Sequence, residues 1–201
     1  MKKEEVIADA LKVLRAGGVI LYPTDTVWGL GCDATDPQAV ARIFEIKRRS
    51  GAKSLVLLAS NLDMVARYIK VIPNIAIDLV EVNDRPMTLV YPGAIVGETG
   101  ATSGNRYQLA WNTVAEDGSV GIRIPMMDFC KTLISKLGRP LVSTSANISG
   151  EPTPERFSEI APEIRDAVDY VVPASLERES TGRASQIIKV GLGGEVEIIR
   201  A

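Results

Sequence analysis

The chain has 201 residues, is 46% hydrophobic and 24% charged, and carries a net charge of −2 without a single histidine. This composition is normal for a globular protein in water, and it offers neither an overall positive field for nucleic acid nor an apolar run near the roughly 18 residues of a membrane span. The missing histidine excludes serine–histidine and cysteine–histidine nucleophile pairs and most zinc sites.

The first half of the chain is predicted to alternate between amphipathic helices and short apolar strands. Asp36 and Asn61 are typical helix N-caps, and Pro37 suits a first helical turn. The predicted elements are a helix at 4–16, a strand at 19–22, a helix from Pro37, a strand at 55–59, a helix capped by Asn61, a helix at 73–82 and a strand at 87–91.

The second half begins with residues 92–118, an irregular stretch that we expect to act as a lid. The predicted elements after it are a strand at 119–125, a helix capped by Asp128 and closed by Gly138, a strand from residue 139, a short strand at 171–172 and a hairpin of 187–190 and 196–200. Antiparallel pairing in that hairpin would make the sheet mixed.

Four cations lie between Lys47 and Lys53, where the helix from Pro37 is expected to end. Such a cluster suits polyphosphate binding. The alternative is a solvated basic helix end, which the helix dipole favours. Because residues two apart on a helix diverge by about 200°, Lys47 and Arg49 can face one ligand only if the helix stops there.

The stretch from Ser143 to Gly150 reads Ser-Thr-Ser-Ala-Asn-Ile-Ser-Gly and follows a buried strand. Ser143, Ser145 and Asn147 would share one face if the strand continued. Hydroxyl and amide groups at the carboxyl end of a strand suit a phosphate or carboxylate ligand. A plain polar turn is the alternative.

Arg123 alternates with isoleucines near the end of its predicted strand, so it lies on the opposite face from them. It is interpreted either as a surface arginine or as a clamp for a carboxylate or phosphate. Cys32 and Cys130 lack metal-site spacing, and Met1–Glu5 leads into a helix and not into a secretion signal. We therefore expect a reduced, cytoplasmic protein.

Four segments together resemble the YrdC family, the threonylcarbamoyl-AMP synthases of tRNA modification. They are Pro23–Leu30, Lys47-Arg48-Arg49, Gly121–Pro125 and Ser143–Asn147, which include the family's Lys-x-Arg and Ser-x-Asn motifs. The resemblance implies an α/β fold, a twisted open mixed sheet with helices packed on it and a concave ligand cleft, as a single domain over residues 1–201. It also implies that L-threonine, bicarbonate and ATP give threonylcarbamoyl-AMP, pyrophosphate and water.

The resemblance further implies site residues and partners. ATP would be bound by Lys47, Arg49, Lys53, Ser119, Ser145, Asn147, Thr153 and Arg200, of which Lys47, Arg49, Ser145 and Asn147 would be catalytic. L-threonine would be bound by Thr26, Arg123, Ser143 and Ser185. Mg²⁺ would be carried by the nucleotide without a protein metal site, and a downstream threonylcarbamoyl-transferase complex would use the product. Asp25 is a candidate general base.

The sequence departs from the family pattern at several positions. Trp28 stands where tyrosine is usual, and Leu58 stands where a histidine often contacts threonine. Because the sequence ends at Ala201, we also expect no additional C-terminal domain of the kind that some members carry.

Two other functions are weighed against the enzyme. One is an RNA-binding module, against which the net charge and the few aromatic residues argue. The other is a paralogue of the same fold with another role, although both motifs are intact. For the enzyme, Lys47→Ala or Arg49→Ala is predicted to reduce turnover far more than folding, because both residues are expected at an exposed helix end.

Overall fold

A nine-stranded mixed sheet forms the centre of the computed structural model, which describes residues 2–49, 55–97 and 107–201. The strands are β1 (Ile20–Pro23), β2 (Trp28–Gly31), β3 (Val56–Leu58), β4 (Met87–Tyr91), β5 (Val120–Arg123), β6 (Leu141–Ser145), β7 (Tyr170–Val171), β8 (Gln186–Val190) and β9 (Val196–Arg200). Their order across the sheet is β7-β1-β2-β6-β3-β5-β4-β8-β9.

Both strand directions occur throughout this sheet. The pairs β1–β7, β3–β5 and β4–β8 are parallel. The remaining neighbours are antiparallel, including the predicted hairpin of β8 and β9. The predicted α/β class with a mixed sheet is therefore confirmed.

The helices bury the apolar faces that their sequence periodicity predicted. They are α1 (Lys3–Arg15), α2 (Pro37–Ile46), α3 (Leu62–Tyr68), α4 (Asn74–Val82), α5 (Asp128–Leu137) and α6 (Pro162–Ala167), with shorter 3₁₀ turns at Trp111–Thr113, Phe157–Glu159 and Ala174–Glu179. In α1, for example, Val6, Leu11 and Leu14 are buried, and this helix contacts α5. No helix among these described elements has the length and apolarity needed to cross a bilayer.

Side-chain caps define the starts of two helices as predicted. The Asp36 carboxylate accepts hydrogen bonds from the main-chain N–H groups of Gln38 and Ala39, and Asn61 accepts one from Met64. The prediction for α5 was wrong by one residue, because Met127 is the N-cap. Asp128 instead lies in the first turn, where its charge favours the helix dipole and pairs with a lysine of α1.

Helix α2 stops at Ile46, as the interpretation of a shared ligand for Lys47 and Arg49 required. Arg48 follows in a left-handed conformation with φ of 49°, which no helix continues. The exposed Arg48 side chain forms an ion pair with Glu163, 2.8 Å apart. Because the helix ends here, Lys47, Arg48 and Arg49 do not follow one another around a helix, and each has different surroundings.

The described parts of the predicted lid are anchored to the rest of the fold. Ile95 donates its main-chain N–H to Tyr68 at 2.8 Å, and Ala110 donates to Ala34 at 2.9 Å. Leu109 and Thr113 are buried. The lid stays a prediction, and its remaining part, residues 98–106, lies outside the described residues.

Candidate active site

A cavity of about 220 Å³ lies against the sheet and is lined by residues of β2, β6, β3 and β5, which are neighbours, and of β8, which lies beyond β4. It brings together many of the side chains that the sequence singled out. Those that line it are Thr26, Arg49, Arg123, Ser143, Ser145, Thr153, Ser185 and Arg200. Hydroxyl and guanidinium groups from seven segments of the chain thus converge on one space, as anion binding requires.

The floor of this cavity depends on the alternation of side chains along the strands. Ser143 and Ser145 are two apart in β6, so both point to the same face of the sheet. Gly29 of β2 pairs with Ser145. A Cβ atom at Gly29 would lie 3.3 Å from the Ser143 hydroxyl oxygen, so a larger side chain here would crowd that hydroxyl. The glycine keeps the cavity open.

Arg123, the last residue of β5, is 3% exposed and ion-paired with the equally buried Asp25. The second carboxylate oxygen of Asp25 accepts a hydrogen bond from the Met126 main-chain N–H at 2.9 Å. The Arg123 Nε atom is buried without a hydrogen-bond partner in the described residues. Arg123 is therefore no surface arginine, and both oxygens of Asp25 are engaged, which argues against a general base at Asp25.

Lys47 occupies a different place from the one predicted, because only 3% of it is exposed. Its ammonium group donates hydrogen bonds to the main-chain oxygens of Ser145 at 2.5 Å and Asn147 at 2.7 Å. Its own carbonyl oxygen accepts one from the Ser149 N–H at 2.9 Å. Burial, and then the charge of Arg49, lower the pKa of Lys47 to about 8. The Lys-x-Arg motif thus holds the turn that carries the Ser-x-Asn motif.

Arg49 points the other way from Lys47 and lines the cavity. Its guanidinium carbon lies 5.7 Å from the centre of the Phe44 ring, a cation–π arrangement. Burial lowers the pKa of Arg49. The two alternatives for the basic stretch therefore divide by residue: Lys47 is buried, Arg48 is a solvated helix end, and Arg49 faces the candidate site.

Thr88 is a residue that the sequence reasoning missed. It is fully buried in β4, and its hydroxyl lies 2.8 Å from the Ser185 hydroxyl. Its place opposite Arg123 in the β4–β5 pair puts it beside the cavity floor. The alternation of Thr88 with apolar neighbours in Met87–Tyr91 was a signal that could have found it.

Trp28 lines another part of the cavity, and Glu177, which is not part of the cavity wall, holds its indole group. The Trp28 indole N–H donates to Glu177 Oε2 at 2.7 Å, and the same oxygen accepts the Phe157 main-chain N–H at 3.0 Å. The Trp28 and Phe157 rings lie 4.9 Å apart. Glu177 thus joins the Trp28 indole group to the segment that contains Phe157.

Some predicted residues do not line the cavity. Ser119 donates its hydroxyl to Asp117 at 2.5 Å. The Asn147 amide group donates to the carbonyl oxygens of Ile148 and Glu151, and its own side-chain oxygen is buried without a partner in the described ranges. Lys53 lies outside the residues that the structure describes. Leu58 is fully buried and pairs with Arg123 in the β3–β5 register, but it is not part of the cavity wall.

Of the carboxylates near the cavity, Asp25 has both oxygens engaged, and Glu177 accepts both of its hydrogen bonds at Oε2. Across the described ranges there is no group of three or more acidic, cysteine or histidine side chains with the geometry of a metal site. The cavity therefore offers cations and hydroxyl groups for an anionic ligand.

Comparison with known sequences gives one consistent result. Residues 12–201 match the Sua5–YciO–YrdC sequence family, whose description is "Telomere recombination". A threonylcarbamoyl-AMP synthase of Stenotrophomonas maltophilia is 34% identical over 195 residues, which cover 96% of this chain and 98% of that protein. One of Xanthomonas euvesicatoria is 36% identical over 164 residues, covering 81% of this chain and 82% of that protein.

Solved structures share the fold. Sua5 of P. abyssi in complex with L-threonine superposes with a TM-score of 0.77 at 26% identity, over 94% of this chain and 52% of that one. This chain thus spans about half the length of that protein. YciO of E. coli superposes with a TM-score of 0.74 over 99% of this chain and 89% of that one, and its 22% identity is evidence for the fold alone.

Proposed function

The chain belongs to the Sua5–YciO–YrdC family, and on that premise we propose that it is an L-threonylcarbamoyladenylate synthase, a nucleotidyltransferase. The substrates are L-threonine, bicarbonate and ATP, and the products are threonylcarbamoyl-AMP, pyrophosphate and water. The observation that carries this proposal is the convergence of Arg49, Arg123 and Arg200 with serine and threonine hydroxyls on one cavity.

The reaction needs this kind of site. The threonine amine is carboxylated to a carbamate, and a carbamate oxygen then attacks the α-phosphorus of ATP and displaces pyrophosphate. The reactants are all anions or become anions, so the site must position them and stabilise the charge that develops on the leaving phosphates. Guanidinium and hydroxyl groups do this without a histidine.

We assign the two substrates to two sides of the cavity. Arg123 binds the threonine carboxylate, and Thr26, Ser143 and Ser185 surround it. Arg49, Arg200, Ser145 and Thr153 bind the triphosphate. Lys47 and Asn147 contribute to ATP binding through the turn that follows β6. Ser119 and Lys53 are assigned to nucleotide binding as well.

Mg²⁺ fits this proposal as an ion that the nucleotide brings. Both carboxylate oxygens of Asp25 accept hydrogen bonds from protein groups, and no cluster of three or more acidic, cysteine or histidine side chains that could hold a metal ion lies in the described ranges. When bound with the nucleotide, Mg²⁺ would offset the negative charge of the phosphates. Phosphate oxygens and water would supply its ligands.

The remaining partners follow from the chemistry of the product. A downstream threonylcarbamoyl-transferase complex takes threonylcarbamoyl-AMP for the modification of tRNA, which fits a cytoplasmic location and weak contact with RNA at most. A single catalytic domain over residues 1–201 belongs to the same proposal. The continuous sheet from β7 to β9 supports it.

Pyrophosphate release is the experiment that tests the proposed function. The purified protein is given ATP, Mg²⁺, L-threonine and bicarbonate, and threonine and bicarbonate are each omitted in turn. Release that needs both establishes the synthase, and mass spectrometry identifies the adenylate. Release that is absent, or that is indifferent to threonine, refutes the synthase and leaves a paralogue or an RNA-binding module, which salt-dependent tRNA binding then separates.

A further inference from the structure

Arg123 differs from the other two arginines that line the cavity. Within the described ranges, Arg123 forms an ion pair with a carboxylate, whereas Arg49 and Arg200 form none. Arg49 packs on an aromatic ring, and Arg200 donates its Nε–H to the main-chain oxygen of Ser185 at 2.8 Å. The site thus contains two uncompensated arginine charges and one compensated arginine charge.

The contacts of Asp25 fix how Arg123 is compensated. One carboxylate oxygen contacts Nη1 of Arg123, and the other accepts the Met126 N–H at 2.9 Å. The main-chain oxygen of Asp25 accepts the Thr181 N–H at 3.1 Å, so the backbone of Asp25 is held as well. Asp25 therefore occupies one corner of the guanidinium group, while the Arg123 Nε–H has no acceptor in the described residues and Arg123 still lines the cavity.

Two anions of unequal charge compete for the cations of this cavity. A triphosphate carries several negative charges and threonine carries one carboxylate, so an uncompensated arginine attracts the triphosphate more strongly. The arginines are close enough to affect one another, because burial first and the charge of Arg123 second lower the pKa of Arg200. Without a counter-charge, Arg123 would join the phosphate-binding arginines.

We propose that Asp25 is a positioning residue that reserves Arg123 for the threonine carboxylate and keeps the phosphates of ATP off it. The inference rests on the proposed function. Asp25 cancels the net charge of Arg123 and leaves its directional N–H donors, which a planar carboxylate matches through two parallel hydrogen bonds. Discrimination between the two anionic substrates thus comes from a residue that need not touch either of them.

A second buried aspartate, whose arginine partner is more exposed than Arg123, separates this role from a merely structural one. Asp33 is also 3% exposed and pairs with Arg139 at 2.7 Å, but neither residue lines the cavity. Asp25→Asn and Asp33→Asn each remove one buried negative charge next to an arginine. Arg123 and the Met126 N–H contact different oxygens of Asp25, and asparagine replaces one of these oxygens with an NH₂ donor, so one of the two contacts is lost.

The test measures the KM for threonine at a series of ATP concentrations, and by calorimetry the affinity for threonine with and without pyrophosphate. In Asp25→Asn we expect the threonine KM to rise about tenfold and to rise further with ATP, because a freed Arg123 binds phosphate. Pyrophosphate should displace threonine from this variant and not from the wild type. Asp25→Glu keeps both carboxylate oxygens and the charge, so in this variant pyrophosphate should displace little of the bound threonine.

The control and the contradicting results are distinct. Asp33→Asn should lower the melting temperature and leave threonine and ATP independent of each other. The inference is overturned if Asp25→Asn shows no such competition, or if Asp33→Asn shows the same competition. If Asp25→Asn does not fold, Asp25→Ser is measured in its place. If neither Asp25 variant folds, Asp25 has a role in stability alone, and the inference is overturned as well. A wild type without threonine-dependent pyrophosphate release refutes the proposed function instead.

Discussion

The ammonium group of Lys47 donates a hydrogen bond to the main-chain oxygen of Ser145, 98 positions further along the chain. A second hydrogen bond to Asn147 makes the lysine a clamp on the turn after β6. A charge-assisted hydrogen bond inside the protein is stronger than a neutral one, and its loss leaves a buried carbonyl group without a donor. Lys47 therefore has a structural role in addition to the nucleotide role proposed for it.

Lys47→Ala is consequently expected to destabilise the protein, contrary to the prediction from the sequence. We expect its free energy of unfolding to fall by about 2–3 kcal/mol, together with the loss of pyrophosphate release. Arg49→Ala, at a half-buried cation–π contact, should lose turnover but only about 0.5–1 kcal/mol of stability. Urea denaturation of both variants measures this difference, and equal stability losses would contradict it.

The depressed pKa of Lys47 predicts a pH dependence of ATP binding. The folded protein releases the Lys47 proton near pH 8, whereas the unfolded chain keeps it until about 10.5. Burying this charge therefore costs stability in full below about pH 8, and the cost disappears as the pH rises from about 8 to 10.5. ATP affinity changes in the opposite sense, because the protonated lysine favours the nucleotide.

Calorimetry without threonine checks this at pH 7, 8 and 9, in buffers with different ionisation enthalpies. We expect weaker ATP binding and net proton uptake above pH 8 in the wild type. Lys47→Arg keeps its charge throughout this range, so it should show neither effect. A wild type whose ATP affinity is flat from pH 7 to 9 would argue against a nucleotide role for Lys47.

Thr88 is predicted to orient the Ser185 hydroxyl toward threonine. Thr88→Val keeps the shape but removes the hydroxyl, so we expect the KM for threonine to rise about 3- to 10-fold with the KM for ATP unchanged. Thr113→Val is the matched control, because Thr113 is equally buried and donates to Ala110 at 2.7 Å away from the cavity wall. The same KM change in both variants would show a general effect of packing.

Glu177→Ala should loosen the wall that Trp28 and Phe157 form. The variant loses the acceptor of two hydrogen bonds, for which we expect about 2 kcal/mol of destabilisation. Trp28 emission should shift to longer wavelength as its indole group becomes hydrated. Because Trp111 is 52% exposed, the measurement is made in a Trp111→Phe background.

The control for this experiment is Glu159→Ala. The Glu159 side chain accepts an exposed main-chain N–H from Glu155, whereas the Trp28 indole N–H donates to Glu177. It should leave the emission maximum where it is. An unshifted maximum in Glu177→Ala would mean that the Phe157 ring alone keeps water from the indole group.

The sequence by itself determined what short-range forces control. The caps of α2 and α3, the apolar strands and the hairpin of β8 and β9 all follow from residues within a few positions of one another. The motifs that carry the family resemblance are also local, and they led to the right family. The fold class followed because such elements leave few ways to bury their apolar faces.

Only the tertiary structure decided which polar groups meet. Asp25 and Arg123 are 98 positions apart, and Thr88 and Ser185 are 97 apart. Their contacts depend on the strand order, in which β6 lies between β2 and β3 and β8 lies beside β4. No local propensity encodes that order, because it results from burying all the apolar faces at once. The same packing buried Lys47 and left Arg48 exposed, although the two are adjacent cations in the sequence.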